Sequence, residues 1–425
     1  MLLQFSVENY KSYKDRVVLS LEASSDKELP DNIVDISNNK LLKVAAIFGA
    51  NASGKSNLFS ALTSAIINIR FSNQLQIDQP LANITPFAFD EETKKKPSSF
   101  EFVFIQNGIK YVYGYSATPK EIVKEYLYAY KSAKATTIFD RDETRSEVYK
   151  FTVPSIKKEL DPIVSKNTKN KLFLSTATQW NSTETREAFS FFAEKINTYD
   201  SDFESLIPRI GPLLRYDDDH SVENFVIKLL KAADINIEKY SLEVKEHSAE
   251  DLVNTLPVQL RNLFLSGIKQ DSKSLEYIIH TLHTVNNNSY VLNMRDESEG
   301  TRNLFGLAPI LKRAFKETGE IICIDEFDKS MHPALVQYLI NLFNDPSVNV
   351  RNAQLIISTH DVSLLSLDHL RRDQFYFTDN DRKTGISELY SLDDFSPRKK
   401  ENIRNAYLLG RYGAVPNLKE GIDLE

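Results

Sequence analysis

Apolar positions along the chain follow two rhythms. Val44-Ala45-Ala46-Ile47-Phe48, Ile321-Ile322-Cys323-Ile324 and the run Gln354-Leu355-Ile356-Ile357 are short and rich in β-branched residues, as in strands buried on both faces. Phe100 to Phe104 and Lys110 to Tyr115 flank Asn107-Gly108, the composition of a tight hairpin turn. Residues 125–130 and 147–151 extend that antiparallel layer. From about 152 to 270 the apolar spacing becomes helical, most clearly at 221–233 and 251–266. Strands return at 275–282 and 289–294, and a helix-like segment runs from Arg302 to Phe315. Long heptad runs, internal repeats and low-complexity tracts are absent. The pattern predicts an α/β chain in three parts: an N-terminal lobe over 1–150, a mostly helical insertion over 151–272, and a C-terminal lobe over 273–425.

The first apolar run leads into Gly49-Ala50-Asn51-Ala52-Ser53-Gly54-Lys55-Ser56, which matches G-x-x-x-x-G-K-[ST] at every fixed position. Asn57-Leu58-Phe59-Ser60-Ala61-Leu62 then starts a helix. Strand, glycine loop and helix N-terminus together make a phosphate cradle, in which backbone N–H groups and the helix dipole face the anion. Lys55 is the candidate for the β- and γ-phosphates and Ser56 for Mg²⁺. The remaining loop positions, Gly49, Asn51, Ala52, Ser53, Gly54 and Asn57, are candidate nucleotide contacts.

Asp325-Glu326 ends the second run. An acid there can hold Mg²⁺, and the neighbouring carboxylate can act as general base on water. Alone, the pair reads equally well as a solvated loop start. Lys55 and Asp325 lie 270 positions apart, so a large segment separates the two motifs. This layout resembles the ATP-binding-cassette heads of SMC, RecF and OLD-type ATPases.

Their third motif has a counterpart in Glu297-Ser298-Glu299-Gly300-Thr301. The resemblance implies that Ser298, Gly300 and Thr301 close over the γ-phosphate held by a second subunit, so ATP would join a dimer. It further implies a D-loop at Asp328-Lys329-Ser330-Met331-His332-Pro333. His360, in Ser358-Thr359-His360-Asp361, becomes the switch histidine. A lone His after a strand is commonly structural, but this register favours the switch role. Phe5 to Tyr13 resembles the first strand and turn of such heads, which makes Lys11 a weaker nucleotide candidate. The glutamine loop of the family has no clear counterpart. Gln79 and Gln106 are the nearest glutamines, and Ile84 to Asp90 stands in its place. The C-terminal Tyr407-Leu408-Leu409-Gly410-Arg411-Tyr412-Gly413-Ala414-Val415-Pro416 resembles that of RloA-type ATPases of restriction-associated and abortive-infection loci. Asn170-Lys171-Leu172-Phe173-Leu174-Ser175 fits the same group. Read from the residues alone, Gly410 and Gly413 make a turn around an exposed Arg411, a structural cap or an interface contact.

Charge and composition narrow the picture. A net charge of −7 argues against broad affinity for nucleic acid, although a local basic groove remains open. Lys94-Lys95-Lys96 and Arg398-Lys399-Lys400 read as solvated loops. Cys323 is the single cysteine, which favours a reducing compartment. With no leader pattern and no membrane-length apolar run, a cytoplasmic protein without membrane contact is expected. His280 and His283 with His247 suggest a metal, but 280 and 283 lie on opposite faces of a predicted strand, which argues against ligation. Asp217-Asp218-Asp219-His220 reads as a helix cap. Trp180, Phe189, Phe191 and Phe192 read as helix core. Asp379-Asn380-Asp381 resembles a Toprim acid pair, but the 44 residues that follow are too few for that nuclease domain.

The expectation is an ABC-like ATPase using ATP and Mg²⁺ at sites shared by two subunits, possessing no effector domain and acting on a separate toxin or nuclease in antiphage defence. The alternative is an SMC- or RecF-like clamp closing on DNA. A GTPase-like switch fits less well, since no [NT]KxD guanine reader is present.

Overall fold

A computed structural model describes residues 1–248, 273–398 and 401–416. By contacts the chain divides into two compact units. One comprises Met1–Tyr199, Ala314–Asp328 and His332–Glu425, the other Asp200–Arg313 and Lys329–Met331. These boundaries differ from divisions at 150 and 272.

In the first unit the N-terminal strands are β1 (Leu2–Glu8), β2 (Val17–Ser20), the small hairpin β3 (Ile33–Ile36) and β4 (Asn39–Leu42), and β5 (Val44–Phe48). After them come β6 (Ser98–Gln106), β7 (Ile109–Ala117), β8 (Ile122–Tyr130), β9 (Thr136–Asp142), β10 (Tyr149–Lys150) and β11 (Ile196–Tyr199). A seven-stranded antiparallel sheet has the order β10-β9-β8-β7-β6-β1-β2. The Asn107-Gly108 turn closes its β6–β7 hairpin, with Gln106 opposite Ile109. The antiparallel layer thus forms as expected, with β9 as an unforeseen member.

The second sheet adds β15 (Ile321–Ile324), β16 (Gln354–Ser358), β17 (Phe375–Asn380) and β18 (Ser387–Ser391), in the order β11-β15-β16-β5-β17-β18. All but β18 run parallel to their neighbours. Both faces of β5, β15 and β16 are buried, which is why these strands read as unbroken apolar runs. Helix α1 (Lys55–Phe71) buries Leu58, Phe59, Leu62, Ile66 and Ile69 in a core shared with Phe5, Phe102 and Phe104 of one sheet and Ile47, Cys323 and Ile356 of the other. An apolar surface on several sides suits a helix between layers.

Buried polar side chains tie the sheets together. Gln354 of β16 donates to the Leu2 and Leu42 carbonyls and accepts the Leu2 N–H. Tyr376 of β17 bonds both backbone groups of Ser20. Arg371 chelates Asp373 and donates to the Asp26 and Glu28 carbonyls. The 170–175 motif does comparable work: Asn170 donates to Gln76 and Gln79, and Ser175 to Ile69 at the end of α1. The Phe173 and Leu174 amides donate to Glu125, a fully buried residue of β8.

The second unit packs helices Phe203–Arg215, Ser221–Ala232 and Glu299–Arg313 with a sheet of β12 (Lys239–Ser248), β13 (Lys273–Val285) and β14 (Asn288–Asn293). Strand β12 corrects the helical expectation for this region. Its half-buried Tyr240, Leu242 and Val244 alternate with exposed residues, a period of two. The expected helix at 251–266 lies outside the described residues. Asp217 accepts the Val222 and Glu223 amides, so the acidic run does cap a helix. His247 and His283 bond Glu276 and Glu297 respectively. In the first unit, Phe191 and Phe192 are buried as expected. Trp180 is not: it is 53% exposed, with the Lys166 ammonium over its ring.

Candidate functional site

Parallel pairing brings the carboxyl ends of β15, β16 and β5 to one edge, where Ile324 lies opposite Ile357 and Ser358 opposite Ile47. The chain leaves β5 through Gly49–Gly54 and enters α1 at Lys55. A side chain at Gly49 would collide with Ser53 and Thr378 at 2.5 Å. Gly54 has φ +120° and would meet Ser387 at 2.7 Å, so both positions require glycine. Ser53 and Thr378 hydroxyls bond at 2.6 Å, and the Tyr13 hydroxyl donates to the Gly54 carbonyl. Asn51, Ala52 and Ser56 are exposed, with Ala52 left-handed at φ 63°. Asn57 donates to Ser12. No side chain caps α1, so its N-terminus keeps the character of an anion site.

Lys55 is buried, and its ammonium donates to the Gly49 and Ala50 carbonyls at 2.7 and 3.0 Å. Burial holds its pKa below the usual lysine range, and the charges of Asp325, Glu326 and Asp328 oppose that shift. Across the edge, the Ser358 hydroxyl donates to Asp325 and accepts the Glu326 N–H at 2.8 Å. Glu326 is exposed and left-handed at φ 52°, a conformation that turns the chain sharply away from β15. Asp328 accepts the His360 N–H through Oδ2, while its Oδ1 is buried without a hydrogen-bond partner. His360 is itself exposed.

This donor set fits a nucleoside triphosphate with a divalent cation. It offers an ammonium, an uncapped helix end, a hydroxyl and carboxylate oxygens, including one buried oxygen that a cation or ordered water would satisfy. The first unit thus gathers the Gly49–Asn57 loop, Asp325, Glu326 and His360. Lys11, in the turn between β1 and β2, reaches α1 beyond its first turn, donating to Ser60 at 2.7 Å. Gln79 bonds the Gln76 amide and Gln106 bonds Ser190, while the Phe87 amide of the 84–90 segment donates to Asn9.

Ser298, Gly300 and Thr301 belong to the second unit, at the start of the Glu299–Arg313 helix. The Ser298 hydroxyl accepts the Thr301 N–H, and a side chain at Gly300 would strike the Ser330 carbonyl at 2.5 Å. Lys329–Met331 of the D-loop segment share this unit, whereas Asp328 and His332 belong to the first.

Two features were invisible in sequence. Ser358 links both acids, though its only sequence signal is a hydroxyl ending a buried strand. The C-terminal motif also folds back onto β17: Phe377 stacks on Tyr407 and Tyr412, and Asp379 accepts the Ala414 N–H. A cavity of about 610 Å³ separates Tyr407 and Leu408 from Gly49, Asn51 and His360. Gly410 and Gly413 have φ +77° and +66°, and Arg411 pairs with Glu401 at 2.5 Å, so the turn forms as read.

The chain is similar in outline to solved SMC heads. The SMC head domain from Thermotoga maritima is 13% identical with a TM-score of 0.41, covering 92% of this chain and 98% of that one. A Pyrococcus furiosus Smc head with an extended coiled coil, bound to the C-terminal domain of ScpA, is 14% identical with a TM-score of 0.43, over 93% and 97%. No curated protein matches the chain. Among the described residues no helix is long and apolar enough to cross a membrane. A family model does match, over residues 44–366, a span that includes the glycine loop, the Asp325-Glu326 pair and His360. The chain therefore belongs to the family described as AAA domain, putative AbiEii toxin, Type IV TA system.

Proposed function

We propose that this chain is an ABC-like ATPase whose two sites form between two copies, and that its nucleotide state controls a separate toxin or nuclease in prokaryotic antiphage defence. The observation that carries the reading is the single sheet edge where Lys55 and the uncapped end of α1 meet Asp325, Glu326 and Ser358. In this reading Lys55 leaves the loop carbonyls to neutralise the β- and γ-phosphates. Ser56 and Asp325 hold Mg²⁺, which supplies charge neutralisation at the transferring phosphoryl group. Glu326 takes the proton of the attacking water, and His360 senses the γ-phosphate.

Ser298, Gly300 and Thr301 would serve the site of the opposite copy. Their place at the start of a fifteen-residue helix supports an anion-facing role. Control of a separate effector is supported by the toxin–antitoxin wording of the family description and by the C-terminal motif. The test expresses the chain alone and with its genomic neighbour, each with an intact loop and with Lys55→Ala. Purified wild type should release phosphate from ATP and Lys55→Ala should not. Growth arrest should need both genes and respond to Lys55→Ala. Toxicity or DNA cleavage by the single chain would refute the division of labour. Hydrolysis stimulated by duplex DNA, with salt-sensitive binding, would favour the clamp.

A further inference from the structure

We infer that the cavity between Phe89 and the β17–β18 turn receives the base of the nucleoside triphosphate. This rests on the phosphate-binding reading of the Gly49–Ser56 loop and fixes which way the nucleotide lies across it.

Strand β5 has β16 and β15 on one side and β17 and β18 on the other. The groups fit for phosphoryl chemistry, Asp325, Glu326 and His360, follow β15 and β16. A triphosphate with its terminal phosphate on that side must carry its nucleoside toward β17 and β18. There the β17–β18 turn lies close to the loop: a side chain at Gly54 would sit 2.7 Å from the Ser387 hydroxyl. Ser387 donates through its amide to the Ser12 carbonyl and through its hydroxyl to Ser12 Oγ, which also accepts from Asn57 of α1. The residues just before Ser387 line a cavity of about 510 Å³, within the size range of small-molecule sites.

The cavity offers a flat group an aromatic face. Phe89 is 75% exposed, yet its ring is held edge-on against Phe87 at 5.6 Å and lies against Gly385. A Cβ on Gly385 would come within 2.5 Å of that ring. An aromatic ring fixed in place yet open to solvent is a stacking surface. Lys14 is paired with Asp90 at 2.5 Å, while Lys383 and Arg382 also line the cavity, so its walls join an aromatic face to a basic rim. Arg382 borders this cavity and also the one beside His360.

The test is calorimetric titration of the full chain with Mg-ATP and with Mg-tripolyphosphate, which carries the phosphates without a base. Phe89→Ala should weaken ATP binding about tenfold while leaving tripolyphosphate unchanged. Phe89→Trp should restore ATP affinity and show fluorescence quenched by ATP but not by tripolyphosphate. Leu408→Arg, which fills the cavity beside His360, should change ATP and tripolyphosphate affinity to the same extent. Lys55→Ala should lose both ligands. If Lys55→Ala loses both while Phe89→Ala binds ATP normally, or if Leu408→Arg is the variant that loses ATP selectively, the base lies elsewhere and the inference falls. Failure of the wild type to bind either ligand would overturn the phosphate-binding reading along with it.

Discussion

Ser358 connects the two acidic residues of the site through one hydroxyl, donating a hydrogen bond to Asp325 and accepting one from the Glu326 backbone N–H. Glu326→Gln keeps the side-chain shape and removes the base. It should bind ATP normally and slow single-turnover hydrolysis by about 10²–10⁴-fold. Ser358→Ala removes no group that would touch the nucleotide, so its effect should appear in kcat, lowered about 10–100-fold with KM little changed. Ser358→Thr should recover most of that loss, which a mere packing defect would not predict. The acids were legible in sequence because they are consecutive and follow an apolar run. Their link was not, because Ser358 lies 32 positions after Glu326 and meets it only through the parallel register of β15 and β16.

Among the elements, β8 anchors the 170–175 segment through one carboxylate. Glu125 accepts the Phe173 and Leu174 amides at 2.6 and 2.9 Å and the Tyr113 hydroxyl at 3.0 Å, with Arg141 3.7 Å away. Burial pushes its carboxyl up, and Arg141 with these donors offsets part of that shift. Glu125→Ala would leave two amides and the Tyr113 hydroxyl buried without their acceptor and should cost about 3 kcal/mol, measured by urea unfolding. Loss below about 1 kcal/mol would mean that the segment does not depend on this anchor. Sequence marked 170–175 only as a family trait, since its partner in β8 is nearly fifty residues away. Strand β12 escaped notice for another reason: half-burial of Tyr240, Leu242 and Val244 leaves only a weak alternation within a helix-rich stretch. Strands β5, β15 and β16 were plain because burial on both faces leaves no polar position to blur them.

For the whole molecule, the proposed dimer gives a direct test. In the Glu326→Gln background, ATP should shift the chain from monomer to dimer in native mass spectrometry. Adding Ser298→Arg should abolish that shift while leaving nucleotide binding by the single chain nearly intact. An unchanged dimer would remove the shared-site reading. Gln354, meanwhile, grips both backbone groups of Leu2 and so fastens the first strand of one sheet to the other. The Leu2 amide can then exchange with deuterium only when that side chain lets go, and a parting of the layers around α1 would break the bond. Amide exchange at Leu2 should remain slow with or without ATP, and faster exchange on hydrolysis would mean that the layers part during turnover. The same amide thus serves as a built-in clock for whether the catalytic unit opens within itself or cycles as a single piece.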